Sequence, residues 1–240
     1  MERKAFLKNS LTALGLVTVA PLVNACKKTD TTTDTGGGTG SGTCTEAPTE
    51  TAGPFPTIVP SSYVRSNIVD GRTGVPITIS ITIKNKNASC AVLAGAIVDI
   101  WHCDKDGNYS EYGGSGMQST NYTAVHFLRG RQTTDANGLV TFTSIFPGWY
   151  TGRTTHIHVH VYNAAGTSLK ITQIAFPEGS SSAVTIVNTT ASGYTKGMTG
   201  YTANASDNVF SDDTAGVQIA TVAGSVAAGY TLTHVINVPA

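Results

Sequence analysis

Ile77-Thr78-Ile79-Ser80-Ile81-Thr82-Ile83 alternates apolar and polar side chains without a break. Successive side chains of a β-strand point to opposite faces, so a strand buries all four isoleucines and exposes the three hydroxyls between them. At the 3.6-residue period of a helix the same isoleucines would spread around the whole circumference. The rest of the chain is consistent with this. Ala96-Ile97-Val98-Asp99-Ile100-Trp101 is a denser apolar run that reads as a strand covered on both faces. Asp135-Ala136-Asn137-Gly138 reads as a turn feeding a strand at 139–142, and further strands are expected at 156–162, 171–176, 184–187, 217–222 and 230–238. No segment holds a helical period over three turns. Many short strands with Gly-, Asn- and Asp-rich connections predict an all-β fold, an antiparallel sandwich.

The first 43 of the 240 residues are not expected to join that sandwich. Arg3, Lys4 and Lys8 precede an uncharged apolar run at 11–23, the layout of a secretory signal and too short to span a bilayer as a helix. The run ends in Leu22-Val23-Asn24-Ala25-Cys26, which resembles a bacterial lipobox, so residues 1–25 read as a lipoprotein signal peptide and Cys26 as the lipidated residue. Arg3-Lys4 also resembles a twin-arginine signal, leaving Sec and Tat export both open. Residues 27–43, dominated by Thr and Gly with no large apolar side chain, read as a flexible linker. The domain is therefore expected at 44–240, on an exported protein anchored to a membrane, periplasmic or at the cell surface.

Charged residues make up 12% of the chain, against about 25% in an average soluble protein, and the formal net charge is zero. Nothing in that balance points to nucleic acid. Beyond Cys26 there are Cys44, Cys90 and Cys103, enough for one disulfide whose pairing the sequence leaves open. No CxxC pair is present, which argues against a zinc knuckle.

The chemistry gathers around His156-Ile157-His158-Val159-His160. On a strand these three imidazoles share a face, with neighbours about 6–7 Å apart at Cβ, close enough for two to converge on one ion. Alone the pattern suits zinc, copper or iron equally. Three other segments narrow it: Asp99-Ile100-Trp101-His102 with Gly107-Asn108-Tyr109-Ser110 after it, Leu128-Arg129-Gly130-Arg131-Gln132-Thr133-Thr134-Asp135, and Pro147-Gly148-Trp149-Tyr150 with Arg153 three residues before His156.

In this order the segments resemble the intradiol ring-cleavage dioxygenases, the family of protocatechuate 3,4-dioxygenase and catechol 1,2-dioxygenase, from about residue 51 to the C-terminus. The resemblance implies a prealbumin-like sandwich holding one non-haem Fe(III) through Tyr109, Tyr150, His156 and His158. It implies a small aromatic diol and O2 as substrates, opened between the hydroxylated carbons to a cis,cis-muconate-type diacid. Tyr150 would be the ligand displaced by substrate, Arg153 would stabilise negative charge on the ring, and Gln173 would support the site. Phenolate is a hard anionic donor suited to Fe(III). Thr51-Ala52-Gly53-Pro54-Phe55 resembles a segment that lines the family's substrate pocket, so Phe55 and Trp149 become candidate ring contacts. His160 departs from the family pattern and its role stays open; His102 and Asp99 read as structural. The chain lacks the helical N-terminal region of catechol 1,2-dioxygenases and is similar to short, secreted intradiol-like proteins, whose substrates and oligomeric state, a homo-oligomer included, stay open. Two rival readings remain: a non-catalytic lipid-tethered binding module, and a zinc or copper site on His156, His158 and His160.

Overall fold

The structure, a computed structural model, describes residues 44–114 and 116–240. The expected signal peptide, Cys26 and the linker lie outside the described residues. Among the described residues, no helix is long and apolar enough to cross a membrane.

Nine strands of the described residues form two sheets: β1 (Pro76–Asn85), β2 (Ala91–Val92), β3 (Ile97–Trp101), β4 (Arg129–Thr133), β5 (Leu139–Ile145), β6 (His156–Tyr162), β7 (Ser168–Ala175), β8 (Thr221–Ser225) and β9 (Gly229–Val238). One sheet runs β4-β3-β6-β7, antiparallel throughout. In the other, β1 is paired by β5 and β9, with β2 and β8 outside. The β1–β9 pair is parallel, an exception to the otherwise antiparallel sandwich; the two strands lie far apart in sequence, so no hairpin dictates their direction.

The alternation in β1 does what its period requires. Ile77, Ile79, Ile81 and Ile83 are buried and join Phe142, Leu232 and Ile236 of their own sheet against Val98, Ile100, Ile157, Val159 and Val161 of the other. Each such side chain contributes roughly 1.5–3 kcal/mol relative to exposure. Burying Ile157, Val159 and Val161 turns His156, His158 and His160 onto the outer face of the β4-β3-β6-β7 sheet.

Two strand expectations are corrected. Residues 184–187 form one helical turn, α1 (Ala183–Val187), in which Ser182 Oγ accepts from Thr185 N and Val184 and Val187, three apart, bury one side. Residues 217–220 precede β8 because the Asp213 carboxylate takes the amides of Val217 and Gln218, at 2.8 and 2.7 Å; only Ile219 bridges to Ala175. The turn before β5 is as expected, with Asp135 Oδ1 accepting from Asn137 N and Leu139 N and Gly138 at φ +71°.

Cys44 and Cys90 form the disulfide, 46 residues apart in sequence, and Cys103 is a buried free thiol. The bond fastens the start of a segment, 44–57, that crosses the sandwich: Glu46 pairs with Lys170 and Lys86, Ala47 N donates to Asn237 O and Glu50 N to Ile171 O. Replacing Cys90 by Ser should lower unfolding free energy by about 2–4 kcal/mol, the usual range for a disulfide, whose upper end is the chain-entropy value for a loop of this length, measured by urea denaturation against the reduced and oxidised parent.

His102 ties the sheets together. Its Nδ1 donates to Cys103 O at 2.8 Å, and its Nε2 accepts from Ser144 Oγ of β5 at 2.7 Å. Burial pulls its pKa down to about 4. The unfolded chain therefore takes up a proton near pH 6.5 that the folded chain refuses until about pH 4. Stability should be full above pH 6.5 and decline as pH falls through that window, and His102→Gln should flatten the decline in denaturant titrations.

Candidate metal centre

On β6, strand register chooses the neighbours of each histidine. His158 lies opposite Trp101 of β3 and opposite Gln173 of β7, while His156 lies opposite Ala175. The Trp101 indole stacks on His158, centroids 4.9 Å apart and 2° from coplanar. From the other side the chain passes at Gly53: a Cβ there would stand 2.9 Å from His158 Cε1, and its φ is +70°. Only glycine meets both conditions. Gly53→Ala should cost about 1–3 kcal/mol through strain and crowding and displace the imidazole, read as a lower melting temperature together with weaker iron uptake.

Tyr109 is delivered by the loop after β3. Gln118 clamps its backbone, accepting from Tyr109 N at 2.6 Å and donating to Tyr109 O at 2.8 Å. Asp104 shapes the preceding turn by accepting from the amides of Asp106 and Asn108. Phe55 stacks on the Tyr109 ring at 4.7 Å and meets Tyr150 edge-on at 6.0 Å. Arg129 joins these segments. Its Nε donates to Ser110 Oγ (2.8 Å), Nη1 to Phe55 O (3.0 Å) and Thr57 Oγ1 (3.1 Å), and Nη2 to Ser110 O (2.6 Å), with the Glu111 carboxylate 3.4 Å away.

The four residues expected as ligands come together. Centroid distances are 4.8 Å for His156–His158, 5.7 Å for Tyr109–Tyr150 and Tyr150–His156, and 6.0 Å for Tyr109–His158. His156 Nδ1 lies 2.7 Å from Thr154 O, which only accepts, so Nδ1 carries the hydrogen and Nε2 presents a lone pair. That lone pair faces His158 Nε2 at 3.1 Å and Tyr109 Oη at 3.3 Å, while His158 Nδ1 is buried with no hydrogen-bond partner. Burial drives His156 down to about 3 and His158 well below its ordinary range, and pushes the Tyr109 and Tyr150 phenols up. Without a cation the groups are neutral and crowded in a desolvated pocket; a bound cation would be held through the imidazole lone pairs and would favour the phenolate forms of the tyrosines.

The donor set suits a hard trivalent ion. Tyr109 and Tyr150 set two phenol oxygens beside the two imidazoles, and among the described residues no three His, Cys, Asp or Glu side chains converge. His160 stands apart: its Nε2 pairs with Ser168 Oγ and its Nδ1 with Tyr162 Oη, each at 2.8 Å, and its ring stacks on Tyr162. The structure thus gives no support to a three-histidine zinc or copper site.

Arg153 and Gln173 form the adjoining polar wall. Arg153 donates from Nε to Asp207 Oδ2 (2.8 Å), from Nη1 to Tyr150 Oη (3.3 Å) and from Nη2 to Gln173 Oε1 (2.7 Å); Gln173 Nε2 donates to Thr51 O (2.9 Å). Asp207 also accepts from Thr154 N and Val209 N. No local sequence signal marked Asp207, which lies 53 residues beyond Thr154. Trp149 is not among the residues that line the cleft over Tyr150 and Arg153. Its indole N–H donates to Gly197 O, and the ring packs against Tyr201 and Lys196. Asp99 is structural, ion-paired with Arg131.

A cleft of about 420 Å³ opens over Tyr150 and Arg153, lined also by Thr51, Gly53, Pro54 and Met117. A larger depression, about 540 Å³ around His234 and Val235 on the other sheet, holds none of these groups.

The dioxygenase family profile matches residues 56–215. An intradiol ring-cleavage dioxygenase from Tetranychus urticae is 29% identical, superposes with a TM-score of 0.68, and is matched over 82% of this chain and 96% of that one. The dioxygenase domain of a dioxygenase–carbohydrate-binding protein fusion from Streptomyces sp. SirexAA-E shares the fold at 24% identity and TM-score 0.56, over 81% and 99% of the two chains. The 3-chlorocatechol 1,2-dioxygenase of Rhodococcus opacus 1CP shares it at 17% and 0.53, over 80% and 72%. No curated protein matches the sequence. With the profile covering most of the described domain, the chain is a member of the intradiol ring-cleavage dioxygenase family.

Proposed function

We propose that this chain is a non-haem Fe(III) enzyme that opens a catechol-type ring between its two hydroxylated carbons with O2, giving a cis,cis-muconate-type diacid. The observation that carries the reading is the buried meeting of His156 Nε2, His158 Nε2 and Tyr109 Oη within 3.1–3.3 Å, beside Tyr150. Tyr109, Tyr150, His156 and His158 would hold the iron. Bound there, Fe(III) supplies Lewis acidity toward the phenols and the diol, and the redox capacity that couples the diol to O2.

The protein's own groups divide the remaining work. Tyr109, fully buried and clamped by Gln118, is the fixed phenol. Tyr150, at the cleft wall with its oxygen 3.3 Å from Arg153 Nη1, would as a phenolate accept a substrate proton on Oη. Arg153, oriented by Asp207 and Gln173, then offers positive charge beside the ring where negative charge develops. Phe55 gives the two phenol rings, Tyr109 and Tyr150, an aromatic wall.

The same proposal includes export: residues 1–25 as signal, Cys26 as the lipid attachment, 26–43 as tether. Its support is the charge, apolar run and Ala25-Cys26 junction of the sequence. The test of the activity is oxygen uptake by the iron-loaded protein with catechol and isotopically labelled O2. Both labelled atoms in an acyclic diacid are expected; hydrogen peroxide with a quinone would overturn the reading.

A further inference from the structure

The cleft also constrains which diol it accepts, an inference that rests on the ring-cleavage reading. Its described lining is Thr51, Gly53, Pro54, Met117, Tyr150, Thr151, Gly152, Arg153 and Asn208. Arg153 is the one cation among them, and Asp207 already neutralises it at 2.8 Å. The other buried cation beside the site, Arg129, is paired with Glu111 behind Phe55. Further acidic charge surrounds the Arg153–Asp207 pair: Glu50 feels Asp212, Arg153 and Asp207, and burial together with those acids holds its carboxyl above the usual range. A carboxylate on the substrate ring would lose water here and find no unpaired cation among the described residues that line the cleft.

The mouth favours apolar substituents. Met117, 69% exposed, lines the cleft together with Pro54. An exposed thioether on a cleft wall is an adaptable apolar contact waiting for a partner. The volume, about 420 Å³, falls within the range for drug-sized ligands and exceeds what an unsubstituted ring fills.

We propose that the site selects uncharged catechols carrying an apolar ring substituent and discriminates against carboxylated diols, with Met117 as a specificity-determining residue. The test compares catechol, 4-tert-butylcatechol and 3,4-dihydroxybenzoate on the full-length iron-loaded protein, by anaerobic calorimetric titration and, separately, by oxygen uptake. The alkylated diol is expected to bind at least as tightly as catechol and the carboxylated one about tenfold or more weaker, a difference of about 1.4 kcal/mol. In Met117→Lys the carboxylated diol should gain on catechol several-fold in affinity. Equal or tighter binding of 3,4-dihydroxybenzoate by the parent protein overturns the proposal, as does a Met117→Lys variant with an unchanged ranking or a failure of every diol to bind. The expected ranking without oxygen uptake would uphold the ligand class and overturn ring cleavage, whereas oxygen uptake led by the carboxylated diol would do the reverse.

Discussion

Tyr109→Phe should abolish iron binding while leaving the fold almost untouched. The phenol oxygen makes one hydrogen bond, to His156 Nε2, so its loss costs about 1 kcal/mol of stability, and the Phe55 stack survives. As a ligand, the role proposed for it, the same oxygen would be indispensable. Loss of a partner outside the coordination sphere typically costs about 10–100-fold in metal affinity or activity, and loss of a ligand should exceed that. His158→Ala should behave alike for iron, with a larger stability cost because the Trp101 stack goes with it. His160→Ala is the control. Its nitrogens serve Ser168 and Tyr162, so iron content should stay at the parent level. Iron analysis and oxygen uptake on the three variants, with melting curves alongside, separate ligand loss from misfolding.

Much of this was legible before any coordinates, and the reasons differ from element to element. The Ile77–Ile83 alternation could satisfy only a strand with one buried face, and the structure buries all four isoleucines. The histidine alternation on β6 placed three imidazoles on one face, and resemblance separated two from the third. Sequence spacing does not carry what each imidazole meets across the sheet. Trp101, Gln173 and Gly53 reach His158 by register and by the path of the 44–57 segment. Asp207 was invisible for the same reason: it holds Arg153 from a distant turn. Residues 184–187, β-branched and apolar, satisfied strand propensity, but Val184 and Val187 bury one side of a helical turn, a case of packing overriding propensity. Trp149 followed a motif into the right region, where its indole found Gly197 and Lys196 in place of the substrate cleft.

Arg129→Leu should be the most destabilising single change at the site. The guanidinium is fully buried and satisfies the carbonyls of Phe55 and Ser110 and the hydroxyls of Ser110 and Thr57 beside the Glu111 carboxylate. Leucine fills part of the volume and leaves those acceptors and a buried acid without a partner. Breaking a buried ion pair from one side costs about 3–5 kcal/mol, and lysine cannot restore the forked geometry. Glu111, already at φ +69°, would lose the charge that helps hold it. The expected result is an unfolding free energy, from urea titration, lowered by that amount in Arg129→Leu, and lowered by less in Arg129→Lys, which keeps the charge and loses the fork. Iron affinity should fall as well, because Phe55 and Tyr109 are fixed through the same contacts.

The most direct test of the central claim is a visible absorption spectrum with iron analysis of the purified protein, before and after anaerobic addition of catechol. The account predicts about one ferric ion per chain, the single site formed by the four converging ligands. It also predicts a wine-red tyrosinate-to-iron absorption that shifts when the diol binds and Tyr150 leaves. A colourless protein that stays iron-free after ferric reconstitution would contradict it and would return the sandwich to the status of a binding scaffold.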